Sequence, residues 1–363
     1  MLIYTILILV SGMLISLDIT AWNHDVKKVI FVCWALFVTL VAALRAPGVD
    51  RDSVLYKETL FDYMGYFNWR EWYTAYTTYG MEIGYVMLNK TVYSLGAGFQ
   101  WVLAIVASAT ALFIYSDIYK YSKYPFLSFF LYMCMFYFLR DFTQIRFGLA
   151  SGIMMHGLHR YSDGMRKKGW FYLFLAILFH SSVIIGIVVP WVYKTISKYY
   201  KLFLVIAPCG YLISVLNPIA RLASVLGLPA QVIRYLNPDV VQTAGYLNSV
   251  FMLAVLAAIA FYYWHLRMQF GLKIDVFYTA GIMSIFIGLS FTTFPIMQRL
   301  STSLFTCIIF LIPYLVQFIY REKKQLVTGA LITVVVTAIF GFYGVKMVLV
   351  DKILAPYSTF LNR

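Results

Sequence analysis

The sequence predicts an all-α polytopic integral membrane protein, a single transmembrane domain over residues 1–363, and three observations carry that expectation. First, of 363 residues 62% are hydrophobic, 19% aromatic and only 12% charged, with a mean hydropathy of +0.79. Soluble domains carry about a quarter charged residues and under half apolar ones, so the bilayer is the solvent that accepts this surface. Second, apolar runs of spanning length recur along the whole chain. Third, the net charge of +14, from 29 Lys+Arg against 15 Asp+Glu, falls largely in short loops between those runs. Soluble enzymes, disordered chains and nucleic-acid modules are excluded as whole-chain readings. No nucleic-acid partner is expected; the cations are read as meeting membrane lipid or phosphate.

A span needs about 20 mostly apolar residues. Such runs occupy 1–18, 28–44, 99–116, 124–139, 201–217, 248–265, 276–292, 302–320 and 326–346. The first lacks a basic leader and a cleavage site, and is read as a retained helix. Three further runs are weaker: 81–97 holds Glu82 and Lys90, 145–159 holds Arg146 and His156, and 169–191 is interrupted by His180-Ser181-Ser182. The expected total is about 10–12 membrane segments, some re-entrant. Basic loops at 18–28, 116–124, 159–169, 190–201, 265–275 and 320–325 are all cytoplasmic only if 81–97 and 169–191 dip without crossing. That version is preferred. Either version puts 45–80, 217–247 and the turn at 293–301 at one outer face; the preferred one gives outer-face segments 45–98 and 217–247 and a large outer-face cavity.

Residues 45–98 hold six of the fifteen acidic residues: Asp50, Asp52, Glu58, Asp62, Glu71 and Glu82. Trp69, Trp72 and the tyrosines 56, 63, 66, 73, 76 and 79 are interleaved with them. Carboxylates accept sugar hydroxyl protons while rings stack on sugar faces; an interfacial aromatic belt accounts for the same composition. Arg140, Arg146 and Arg299 lie in or at the ends of apolar runs, where an unpaired cation is costly. A snorkelling side chain or an Arg140–Asp141 pair explains one of them; three beside an acidic segment favour an anion site, since the planar guanidinium suits phosphate. His180 interrupts its run, and non-helical backbone at membrane depth occurs around cavities or inside protein. Cys33, Cys134, Cys209 and Cys307 stand alone in apolar runs and read as packing residues. His156 and His159 share a helix face, but the histidines show no metal-ligand spacing, so no metal is expected. Walker A, GxSxG, HExxH and Rossmann patterns are missing.

Read together, the polar positions form a series. Arg45-Ala-Pro-Gly-Val-Asp50-Arg-Asp52-Ser-Val-Leu-Tyr56 is followed by Glu82-Ile-Gly84-Tyr85 with Leu88-Asn89. Then come Gln144-Ile-Arg146-Phe-Gly-Leu-Ala150, Leu178-Phe-His180-Ser-Ser, and Arg299 after an outer turn. This series resembles the EpsG/Wzy-type polysaccharide polymerases over roughly residues 1–320. Two departures stand out: Phe147 occupies a place where the family often has Gln, and the spacing to Tyr56 selects Asp52, leaving Asp50 without a role.

The resemblance implies a glycosyltransferase of the bacterial inner membrane, multi-pass, with its active site facing the periplasm. It would join undecaprenyl-pyrophosphate-linked oligosaccharide repeats into O-antigen, capsule or exopolysaccharide, with no cofactor and no metal. A separate chain-length regulator protein is an expected partner. Arg146 and Arg299 are assigned to the pyrophosphate, with Arg45 and Arg140 behind them, because fixed cations stabilise a leaving group's developing charge. Tyr56 and Tyr85 are assigned to the glycan. The base is sought among Asp52, Glu82 and His180, with a lean to Glu82. Rival readings are an O-antigen ligase, a lipid-linked glycan flippase, which usually shows internal repeats, and a membrane acyltransferase using His180.

Overall fold

The computed structural model describes residues 1–71, 80–216, 243–292, 294–322 and 325–362. Trp72, Tyr73, Tyr76, Tyr79 and most of segment 217–247 lie outside the described residues. The described chain is helical, with no strand and a single isolated antiparallel bridge, Arg45 to Thr359. It is a multi-pass membrane protein: seven of its helical stretches are long and apolar enough to cross a bilayer. These are Leu2–Ile19, His24–Ala43, Phe99–Tyr121, Pro125–Thr143, Leu272–Ser290, Met297–Tyr320 and Leu326–Val350. Each corresponds to one of the nine strongest apolar runs. The remaining two strong runs fall on bent pairs. Val189–Lys198 and Tyr200–Leu216 meet at 106°, Tyr246–Phe261 and Tyr263–Phe270 at 85°, so the described chain has up to nine spans. The bends sit at Tyr199 and Tyr262, whose ψ angles of 38° and 17° leave the helical well.

Contacts divide the chain into two compact units. The first comprises Met1–His156, Leu175–Ser181 and Val316–Arg363; the second, Gly157–Phe174 and Ser182–Leu315. In the first unit, α1 (Leu2–Leu14) packs on α6 (Pro125–Tyr132), and α2 (His24–Ala43) packs along α5 (Phe99–Tyr121). The start of α2 is written locally. Asn23 caps it by accepting from Asp25 N–H at 2.9 Å, and Asp25 sits in the first turn, where the helix dipole favours an anion. α6 starts at Pro125, whose missing N–H costs nothing there. Its next donors, Phe126 and Leu127 N–H, reach Asp18 at 3.3 and 2.8 Å, so a distant carboxylate caps it.

α6 continues into a π-helix, Met133–Thr143. Such stretches are mostly single-turn features, often near functional sites; this one carries Arg140 and Asp141. Leu326–Val345 packs on it and otherwise shows apolar side chains such as Val327, Leu331 and Phe342 to the surroundings. That surface suits lipid. In the second unit, Leu272–Ser290 is the hub, contacting Pro295–Phe305, Thr243–Phe261, Val189–Lys198 and Gly210–Leu216.

Three shorter helices complete the part that matters for chemistry: α3 (Ser53–Thr59), α4 (Ile83–Ser94), and α7 (Ile145–Ser162), which begins after the π-helix. α8 (Arg166–Ile177) ends two residues before Phe179 and is followed by a tight 3-10 stretch, Ser181–Ile187. α4 and α8 have 12 residues each, about 18 Å of helix against a hydrocarbon core of about 30 Å. Neither can cross alone, as the dipping arrangement requires.

Candidate active site

The loop after α2 is organised by one buried ion pair. Arg45 and Asp50 are both wholly enclosed, with Arg45 Nε donating to Asp50 Oδ2 at 3.0 Å. The other guanidinium nitrogens donate to Ala42 O at 2.5 Å and Phe142 O at 2.7 Å, and the group lies 5.0 Å from the Phe142 ring centroid. Asp50 Oδ1 accepts from the N–H groups of Asp52 and Ser53 at 3.0 and 2.8 Å, capping α3. The pair therefore ties together the end of α2, the start of α3 and the π-helix. Asp50 has the role that spacing left open. The expectation that Arg45 faces a pyrophosphate meets a fully buried side chain whose charge is already compensated, so a ligand has no route to it.

A second cluster forms around Glu82, directly ahead of α4. Gly84 N–H donates to Leu178 O at 2.7 Å. A Cβ on Gly84 would sit 2.6 Å from that same backbone oxygen, closer than any side chain tolerates. Only glycine allows this approach, which sets Glu82 against the interruption after α8. There Glu82 Oε1 accepts from Ser181 N–H at 2.8 Å and Ser181 Oγ at 3.1 Å, with His180 Nδ1 at 3.9 Å. Glu82 Oε2 accepts from Arg146 at 2.5 Å. Because the chain leaves the helix at His180, the Ser181 N–H is available to a carboxylate.

Arg146 occupies the first turn of α7. Its guanidinium carbon lies 5.4 Å from the Tyr56 ring centroid and 5.6 Å from that of Tyr85, near enough for cation–π attraction. The two tyrosine rings meet edge-on, 5.7 Å apart. Arg146 Nε is buried without a hydrogen-bond partner. An arginine paired on one edge by a carboxylate, with donors left on the other, is suited to an oxygen-rich anion.

Asp52 is half-buried and lies one turn before Tyr56, whose N–H donates to the Asp52 carbonyl at 2.9 Å. His180 packs edge-on against Phe147 at 5.2 Å. The same Phe147 ring lies 4.9 Å from the Arg140 guanidinium, which also sits 4.1 Å from the Phe136 centroid. Arg140 is buried, while the neighbouring Asp141 accepts from the Tyr132 hydroxyl at 2.6 Å. Phe147, the departure from the family pattern, is thus a wedge between Arg140 and His180. Gly148 lets α7 press on the π-helix, since a Cβ there would lie 2.7 Å from Arg140 O.

Arg299 belongs to the second unit, exposed on Pro295–Phe305. Among the described residues no three metal-ligating side chains come together. His156 has a carboxylate partner that sequence proximity did not reveal, Asp117 on α5, at 2.8 Å. His159 packs edge-on against Phe277 and Phe310.

The sequence reading missed three contributors. In the sequence Ser181 reads as a partner for His180 rather than for a carboxylate, although a serine following a helix break offers two donors. Gly84 was quoted only as part of a motif, and Phe142 carried no polar signal at all. Gly84→Ala is expected to lower activity on the order of 100-fold, because a displacement of about 1 Å at a reacting centre costs that much. Gly98→Ala, where a Cβ meets nothing within 4 Å, serves as the control. The comparison is checked by polymer yield at equal membrane insertion, and equal yields would remove the steric argument.

The model of the EpsG family matches residues 28–359, a range that includes every residue of both clusters and Arg299. No curated protein and no solved structure matches the chain.

Proposed function

The chain belongs to the EpsG family of Wzy-like polysaccharide polymerases, and from that premise we propose that it joins lipid-linked oligosaccharide repeats by glycosyl transfer. The donor is a growing glycan on undecaprenyl pyrophosphate; the acceptor is the next lipid-linked repeat, on the periplasmic face of the inner membrane. A hydroxyl of the acceptor sugar attacks the anomeric carbon of the donor glycan. A new C–O glycosidic bond forms, the C–O bond to pyrophosphate breaks, and the lipid pyrophosphate leaves with the electron pair.

The observation that carries this reading is Arg146, held by Glu82 between two tyrosine rings with donors to spare. A preorganised guanidinium of this kind stabilises charge as it develops on the leaving group. A role for Arg299 in holding pyrophosphate is a separate proposal, tested by its own variant. Glu82, with both carboxylate oxygens occupied, positions Arg146, and the hydroxyl proton passes to Asp52 or His180. Tyr56 and Tyr85 border the sugar. Arg45 and Arg140 hold the architecture.

The test is reconstitution of the purified protein with a synthetic undecaprenyl-pyrophosphate repeat unit in EDTA, read on a gel. The expected result is a ladder of repeats. Single repeats that cross the bilayer unjoined would replace this reading with transport, and a single glycan transfer onto a lipid core would replace it with ligation.

A further inference from the structure

We propose that a second diphosphate-binding subsite lies between the loop at 48–51 and the C-terminal stretch 352–356, and that it holds the diphosphate headgroup of the acceptor lipid. This rests on the polymerase reading, in which two lipid diphosphates are bound at once. Arg146 can serve the one that leaves; the other also needs a place.

The two chain stretches, with Met1, border an open cavity of about 360 Å³, within the range of roughly 300–1,000 Å³ typical of small-molecule sites. Each wall contributes one exposed cation, Arg51 from the first and Lys352 from the second. Neither enters an ion pair among the described residues. The carboxylate in the same wall, Asp50, is turned inward onto Arg45 and the start of α3, so it does not oppose an anion. A planar guanidinium and an ammonium bordering one cavity suit a diphosphate, which offers more acceptor oxygens than a single phosphate edge.

The walls are held in place before any ligand arrives. Ala355 N–H donates to Val49 O at 2.8 Å, and Ala46 N–H to Ser358 O at 2.9 Å. The hydroxyls of Tyr4 and Tyr357 donate to Ala355 O and Val41 O, both at 3.0 Å. Lys352 has φ of 45°, the one non-glycine residue at positive φ among those described. Its neighbours fix that conformation, with Asp351 N–H on Lys346 O at 3.0 Å and Ile353 N–H on Met347 O at 3.4 Å. Such backbone persists where surrounding structure over-determines it, commonly at ligand clamps. The cavity also sits where the spans His24–Ala43 and Leu326–Val350 both end, and Leu354 and Pro356 line it. A lipid headgroup with its chain entering the bilayer meets both the charge and the apolar wall there.

The experiment counts bound lipids by native mass spectrometry on the full-length protein in nanodiscs. The probes are undecaprenyl diphosphate, phosphatidylglycerol and inorganic pyrophosphate. The expected result is two undecaprenyl diphosphates on the wild type, one on R51Q/K352Q, and two again on R51K/K352R, which keeps the charge and reports correct folding. Inorganic pyrophosphate is expected to displace the second lipid. In the polymerisation assay R51Q/K352Q is expected to raise the acceptor KM about tenfold, the effect of losing about 1.4 kcal/mol. Two bound diphosphate lipids on R51Q/K352Q would overturn the subsite. Equal occupancy by phosphatidylglycerol would overturn its assignment to the acceptor in favour of a general phospholipid site. If no repeat is ever polymerised but the count still falls from two to one, the polymerase reading fails and the subsite stands.

Discussion

Replacing Arg146 with Gln is expected to lower polymerisation on the order of 10²–10³-fold while the protein stays in the membrane, the effect of deleting one preorganised group that stabilises a transition-state charge. Glu82→Gln is expected to cost less. A glutamine can still accept from Ser181 N–H, and the Arg146 charge survives beside Tyr56 and Tyr85. The double variant R146Q/E82Q then loses no more than R146Q, because residues acting as one unit are non-additive. Rates measured with a fixed lipid-linked substrate across a pH series decide the roles. If Glu82→Gln were as damaging as R146Q and flattened the pH profile, Glu82 would be the base, and its positioning role would be abandoned. Arg299→Gln in the same series tests that cation separately; wild-type chain length in that variant would end the proposal of a role for Arg299.

The second large effect concerns stability. Arg45→Met leaves Asp50 enclosed and uncompensated, and breaking a buried pair from one side costs about 3–5 kcal/mol. The expected consequence is a sharp drop in folded protein recovered in detergent, with a lowered unfolding midpoint. R45M/D50N removes both charges while keeping an oxygen to accept from Asp52 and Ser53 N–H. It should recover much of the loss, because the penalty lies in the orphaned charge rather than in the missing attraction. A midpoint for R45M equal to wild type would mean that the pair does not hold the loop together.

Arg45 and Arg146 look alike in the sequence, each a cation in or at the end of an apolar run with an aspartate five residues away. They differ in what folding brings to them. Arg45 meets Asp50 five residues away and two main-chain carbonyls, in complete burial. Arg146 meets Glu82 from 64 residues away and two aromatic faces, and keeps a buried donor without a protein partner. Charge and motif spacing are shared by both; the partners are not. The same holds for Asp117 and His156, 39 residues apart in sequence and 2.8 Å apart in space.

By itself, the sequence determined that the protein is helical and lives in a membrane, where seven of its spans run, and which short polar series marks its family. These are properties of composition, of local hydropathy windows and of residue order, and they survive without knowledge of packing. The tertiary structure alone decided which arginine is enclosed with its charge compensated and which keeps a buried donor without a partner, and where apolar runs bend at Tyr199 and Tyr262. It also decided that the carboxylate favoured as a base is occupied by Ser181 and Arg146. Those outcomes depend on contacts between distant segments, such as the approach of Gly84 to Leu178 O, which no local window of sequence contains.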